Sequence, residues 1–198
     1  RAVLLYHVER MNEESANALL KVMEEPPEGV LFLLTADSLA SVLPTIRSRC
    51  VSFAVAPVSP ADCTRYCAAQ GVDKKTAALY SELFDGHIGT VLAVARDEAR
   101  AAQVEKALEL ARAAAARDSY TAAVLLAAYE KDKAAASALL TDFRAVAAAG
   151  LRSSPRAPVQ GTQARQAVRL ADAALQRLGA QVNPKVVLSV FAAKLRTV

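Results

Sequence analysis

Tryptophan is missing from the 198 residues, aromatic residues make up only 5%, and the chain holds seven glycines, three cysteines and two histidines. With 54% hydrophobic residues, chiefly Ala, Leu and Val, so little aromatic content excludes an aromatic-rich β-sandwich and favours closely packed helices. Cys50, Cys63 and Cys67 are too few, and odd in number, for a secreted disulfide scaffold; they fit a reducing, cytoplasmic setting. Cys63 and Cys67 are four residues apart on one helix face, and His7 and His87 sit in unrelated segments. The expectation is therefore buried thiols and no metal site. No stretch approaches about 18 uninterrupted apolar residues, so no membrane span is expected. Scarce glycine also shows in the motifs: neither GxxxxGK[ST] nor GxGxxG occurs, so no loop is built to cradle phosphate. Neither histidine lies near a nucleophile, which leaves no Ser/His/Asp or Cys/His constellation. There is no initiator Met. The chain opens on Arg1 before "AVLLY", an apolar run too short for a signal peptide. It reads as a strand whose preceding partners are missing, and hence as part of a longer protein.

What is present falls into distinct stretches. "AVLLY" and "VLFLL" are continuous apolar runs, the pattern of strands covered on both faces. Between them Asn12 can cap a helix whose first turn holds Glu13 and Glu14, with an apolar stripe of Ala16, Leu19, Leu20 and Met23. Pro26-Pro27 stops that helix. Strand, helix, strand in this order points to a parallel α/β sheet of which the last strands are present. Glu13-Glu14 and Glu24-Glu25 read as helix-end residues rather than an acid–base pair, because adjacent helical positions point about 100° apart.

After "AVAPVSP" the strands end. Ser59-Pro60 and Asp73 open two helices, and "TVLAVA" begins a third after the turn "DGHIGT". Beyond them the expected helices are roughly 98–117, 119–130, 133–151, 161–179 and 183–197, the last opened by Asn183-Pro184. "GLRSSPRAPVQGT" reads as an exposed loop. Charge is uneven. Residues 150–198 carry eight Lys and Arg against Asp172 alone, whereas residues 1–149 are net acidic. A basic end suits nucleic acid or an acidic partner surface, or is simply a solvated face. Arg165, Arg169 and Arg177 recur at i, i+4 and i+12 and are expected to lie roughly on one face.

The segment from Asn17 to Cys50, "NALLKVMEEPPEGVLFLLTADSLASVLPTIRSRC", closely resembles the late part of the AAA+ core in bacterial sliding-clamp loaders, the gamma/tau and delta-prime subunits of the DNA polymerase III holoenzyme. "NALLK", "EEPP", "FLLT" and the terminal "SRC" carry the resemblance over about a quarter of the chain. It implies a mainly α protein, the end of an AAA+ α/β domain (1–54) followed by a three-helix lid (55–97) and an all-helical collar for oligomerisation (98–198).

The resemblance also assigns roles. Loader subunits form a ring-like pentamer with ATP between neighbours. Arg49 of Ser48-Arg49-Cys50 would be an arginine finger reaching a neighbour's ATP, and Arg47 an interface ion-pair partner. Counting back from Asn17, the acids that active members use around Mg²⁺ fall on Tyr6 and His7, which cannot replace two carboxylates. Thr35 occupies a sensor position, and Thr90 stands where active members carry a γ-phosphate-sensing arginine. These losses imply a non-hydrolysing member that binds no cofactor of its own, with ATP-Mg held by the neighbour. Implied partners are gamma/tau and delta-type subunits and, indirectly, the sliding clamp and primed DNA. Lys21 would face the central chamber, with contact to DNA phosphate. Leu170, Ala174, Leu178, Val187, Val190 and Phe191 would be core or collar contacts. Two rival readings remain: a gamma/tau-like ATPase lacking its phosphate loop, and a helical nucleic-acid-binding module.

Overall fold

A computed structural model describes residues 1–56 and 58–196. They divide into two units, Arg1–Ala56 and Pro57–Val198. In the first, β1 (Ala2–Leu5) and β2 (Leu31–Leu34) pair in parallel, Ala2 opposite Leu31 and Leu5 opposite Leu34. Parallel strands need a crossover, and α1 (Glu13–Glu24) supplies it. Asn12 caps α1, its side-chain oxygen accepting from the Ser15 N–H at 2.8 Å, and Glu13 and Glu14 complement the positive end of the helix dipole. The stripe Ala16, Leu19, Leu20, Met23 packs with Leu5, Val8, Leu34, Val42 and Ile46 into a small core.

That core covers only one face of the strands. Leu4, Leu31 and Leu33 remain 51%, 58% and 47% exposed, which corrects the expectation of strands buried on both sides. Side chains alternate across a strand, and among the described residues no element lies over the second face. Val51, Phe53 and Val55, after the short helix α2 (Pro44–Arg47), are likewise exposed and join no strand.

The second unit is wholly helical among its described residues: α3 (Pro60–Ala69), α4 (Lys74–Leu83), α5 (Ile88–Arg96), α6 (Glu98–Ala115), α7 (Ser119–Ala127), α8 (Lys133–Leu151), α9 (Gly161–Gly179) and α10 (Pro184–Leu195). Side chains of Ser59, Asp73, Asp97, Asp118, Asp132 and Asn183 cap six of them. One continuous core runs from Cys63 and Cys67 through Val91, Leu108 and Phe143 to Phe191 and Leu195. At its centre the Phe143 and Phe191 rings meet edge to face, centroids 5.4 Å apart. Helix α8 packs against α6 and α9. By length and composition it could cross a membrane, but half of it is buried inside the unit, as befits a core helix. Asp97 ends α5 and caps α6, so the expected division near residues 97 and 98 falls within this one core.

Ala174, Leu178, Val187 and Phe191 are buried, and Leu170 and Val190 half-buried, between α9 and α10. Arg165 and Arg169 are neighbours on α9, but Arg177 is about 120° round from Arg165 at 100° per residue. The three do not share a face, a correction to the sequence-based expectation.

Two features of this unit give testable consequences. Asp73 is held below the ordinary 3.8 by the N–H and then the hydroxyl of Thr76, and Asp118 by the hydroxyl and then the N–H of Thr121. Depressed native values mean that these caps stabilise fully above about pH 4 and lose that contribution as pH falls through and below 3.8. The urea midpoint is expected to drop between pH 5 and pH 3, and to drop less in the Asp73→Ala/Asp118→Ala double variant. Cys63 and Cys67 are fully buried, and burial, with Cys63 alongside, pushes the Cys67 thiol up to about 11. Because the thiolate is the reactive form, a thiol reagent at pH 8 is expected to label only the half-buried Cys50 quickly in native protein, and all three cysteines in denaturant.

Candidate interface site

Helix α2 is one turn long. Pro44 pre-sets its first position, and Ile46, 1% exposed, anchors it to the core of the first unit. The Arg49 N–H donates to the Ile46 carbonyl at 3.1 Å, so the anchored turn carries Arg49 at its exit. Three oxygens meet its guanidinium. Nη1 donates to the Thr45 carbonyl at 3.0 Å and to Ser48 Oγ at 3.4 Å, and Nη2 forms an ion pair with Glu24 Oε1. Ser48 Oγ itself donates to the Thr45 carbonyl at 3.0 Å. Nε–H and one Nη2 hydrogen of Arg49 are left without a partner among the described residues. Arg47, two residues earlier, is exposed and its side chain makes no hydrogen bond or ion pair among the described residues. Cys50 packs half-buried beneath, and burial raises its thiol.

Past the end of β1 the chain turns sharply. Tyr6 is largely exposed, and His7 adopts a left-handed backbone with φ 55°. The ladder continues one step beyond the strands: the Thr35 N–H donates to the Leu5 carbonyl at 2.9 Å, and the Val8 N–H to the Thr35 carbonyl at 3.0 Å. The His7 N–H donates to Thr35 Oγ1 at 3.3 Å, so Thr35 and His7 do meet. The His7 ring lies 3.1 Å from a Glu9 oxygen and 3.6 Å from one of Asp37. Sequence reasoning missed this trio; the spacing His-x-Glu in "HVE" was the available signal, whereas Asp37 comes from another loop. Potential ligand atoms of the three lie within 4.8 Å of one another. The Glu9 carboxyl is held below 4.5, first by its own backbone N–H and then by His7. The His7 and Asp37 side chains are 48% and 71% exposed and that of Glu9 only 10%, so the cluster opens to solvent on the His7 and Asp37 side, while Glu9 Oε2 is buried with no hydrogen-bond partner among the described residues.

Lys21 lies on the exposed side of α1. Thr90 is exposed on α5, in the second unit. The structure thus brings Ser48 and Arg49 together with Glu24, and His7 with Thr35, Glu9 and Asp37, while Tyr6 stays exposed beside them. The Glu24 pairing was not foreseen, because nothing in a spacing of 25 residues signals it.

Residues 1–59 match the family described as DNA polymerase III, delta subunit. The DNA polymerase III subunit delta' of Yersinia pestis is 44% identical over 66 residues, 33% of this chain and 19% of that protein. Its counterpart in Haemophilus influenzae is 54% identical over 50 residues, 25% of this chain and 15% of that protein. The matched segment therefore spans less than a fifth of the length of these relatives. The crystal structure of a DNA polymerase III gamma subunit-related protein from Thermotoga maritima superposes on the whole chain, and on 72% of its own, with TM-score 0.56 and 22% identity, a likeness of fold.

Proposed function

We propose, for a chain whose first 59 residues match the family described as DNA polymerase III, delta subunit, that it is a delta-prime-like component of the clamp loader and supplies Arg49 in trans to ATP held by a neighbouring subunit. The observation that carries this reading is the setting of Arg49 in "SRC": an anchored turn, a guanidinium held at both terminal nitrogens, and an Nε–H with no partner among the described residues. Phosphoryl transfer spreads charge over the equatorial oxygens of the moving group, and a planar, permanently charged donor suits that charge. ATP and Mg²⁺ would belong to the neighbour, a gamma/tau subunit. The delta subunit would complete the ring, and the sliding clamp and primed DNA would be met through the assembly, in the cytoplasm. Residues 55–97 would serve as lid and 98–198 as collar, with α9 and α10 packing against partner collars. Tyr6, His7 and Thr90 support the absence of hydrolysis by this subunit itself.

A second reading, a gamma/tau-like ATPase, draws on one observation: Glu9 and Asp37 place two carboxylates beside His7. ATP hydrolysis by the complete parent protein alone separates the two, because only the second reading expects it. The first is tested by DNA-stimulated ATPase of a reconstituted loader containing the complete parent, with and without Arg49→Ala. A lower rate with the assembly intact by size exclusion supports the finger; an unchanged rate overturns it.

A further inference from the structure

We propose that Glu24 is a positioning residue for Arg49, setting the guanidinium in the orientation in which it meets the neighbour's phosphate. The inference rests on the reading of Arg49 as a trans-acting finger and adds the group that aims it.

Glu24 is the last residue of α1, and Pro26 and Pro27 end the helix there by removing backbone donors and clashing with the preceding turn. The helix beneath is fixed by Ala16, Leu20 and Met23 in the core of the first unit. The carboxylate therefore projects from a supported helix end rather than from a loose loop. It meets Arg49 on Nη2, while the Thr45 carbonyl and Ser48 Oγ hold Nη1. Contacts on both terminal nitrogens remove the rotation that one alone would permit. Nε–H and one Nη2 hydrogen then have no partner among the described residues.

Selectivity argues against a chance meeting of charges. Glu24 and Glu25 are adjacent, and Arg47 and Arg49 are both at hand, yet among these four only Glu24 and Arg49 pair. The carboxylate offsets part of the field of the finger, as any opposite charge at that distance must. Its contribution is order. An arginine side chain otherwise loses rotamer freedom when it docks on a phosphate, and fixing it beforehand reduces that loss. Productive geometry in such sites is held to about half an ångström, tighter than an unsupported surface arginine maintains.

The test uses the reconstituted loader with the complete parent protein carrying Glu24→Gln, Glu24→Ala, Arg49→Ala, and each Glu24 change combined with Arg49→Ala. Size exclusion and circular dichroism confirm assembly and fold. Glu24→Ala is expected to lower the single-turnover rate of DNA-stimulated hydrolysis at the facing site about fivefold, the scale of a well-formed exposed ion pair, with KM for ATP unchanged. Glu24→Gln, which keeps the shape and one acceptor, falls between. In the Arg49→Ala background neither change lowers the rate further, because Glu24 acts only through Arg49. Glu24 variants at the parental rate beside a slow Arg49→Ala overturn the positioning role and leave the finger standing. Glu24 effects that persist without Arg49 also overturn it. A parental rate for Arg49→Ala removes the finger itself, and this inference with it.

Discussion

Arg49→Ala, introduced into the complete parent protein and assembled into a loader, is expected to cut DNA-stimulated ATP hydrolysis at the facing site by about three orders of magnitude, the low end of what such arginines contribute. The low end applies because Arg49 already shares its guanidinium with Glu24 and with two oxygens of its own turn. Those contacts must coexist with phosphate contact or yield to it. Total hydrolysis by the loader falls as far as the facing site does if the sites fire in concert, and by no more than one site's share if they fire independently. Arg49→Lys restores little, since an ammonium cannot reproduce a planar fork held at both terminal nitrogens. Single-turnover hydrolysis separates the site-level loss from the total. A single-turnover rate at the facing site unchanged within twofold for Arg49→Ala would return this arginine to a purely local ion pair.

The second large effect belongs to stability. Asp142 is 2% exposed on α8, and Arg100 of α6 holds it at both oxygens, with Nη2 to Oδ1 at 2.5 Å and Nη1 on Oδ2, where Gln103 also donates at 3.0 Å. Asp142→Ala leaves the guanidinium and the amide facing an apolar gap between two packed helices. Removing one partner of a buried pair costs about 3–5 kcal/mol. The lower figure is expected here, because the Arg100 side chain is 30% exposed and can turn toward water. Urea unfolding of the full chain is expected to show a loss of about 3 kcal/mol, with the thermal midpoint lower by about 10 °C. Asp142→Asn, which keeps the shape and one acceptor, is expected to lose less. A double-mutant cycle with Arg100→Met measures the coupling directly: if the two changes add with no interaction term, the pair contributes nothing specific.

Much of the fold was legible because helix signals are local. Ser59-Pro60, Asp73 and Asn183-Pro184 begin helices in the sequence as they do in the structure, and a cap needs only an oxygen within reach of an N–H two or three residues on. The order β1, α1, β2 was legible for the same reason, since the period of apolar residues changes between the runs. Strand burial was not. Whether Leu31 and Leu33 are covered depends on what lies over the sheet, and their own pattern says only that they tolerate cover. The candidate site divided along the same line. "SRC" marked Arg49 through resemblance, but Glu24 read as an ordinary helix-end acid, and its pairing with Arg49 exists only once α1 and α2 have packed. Asp142 sat unnoticed in an apolar helix because its partners are 39 and 42 residues away.

The end of α4 and the segment after α8 are fastened to each other at several points. Glu82 accepts from Ser154 Oγ at 2.7 Å and pairs with Arg156 at 3.0 Å, while Arg152 reaches Asp85 at 3.1 Å and the Leu83 carbonyl at 3.3 Å. Gly150 lets the returning chain close on α8, for a Cβ there would stand 1.9 Å from the Val159 carbonyl oxygen. The mechanical result is a linkage without backlash. A twist imposed on the end of α4 meets this clasp before a loop can absorb it as slack, and so reaches the start of α9 as torque.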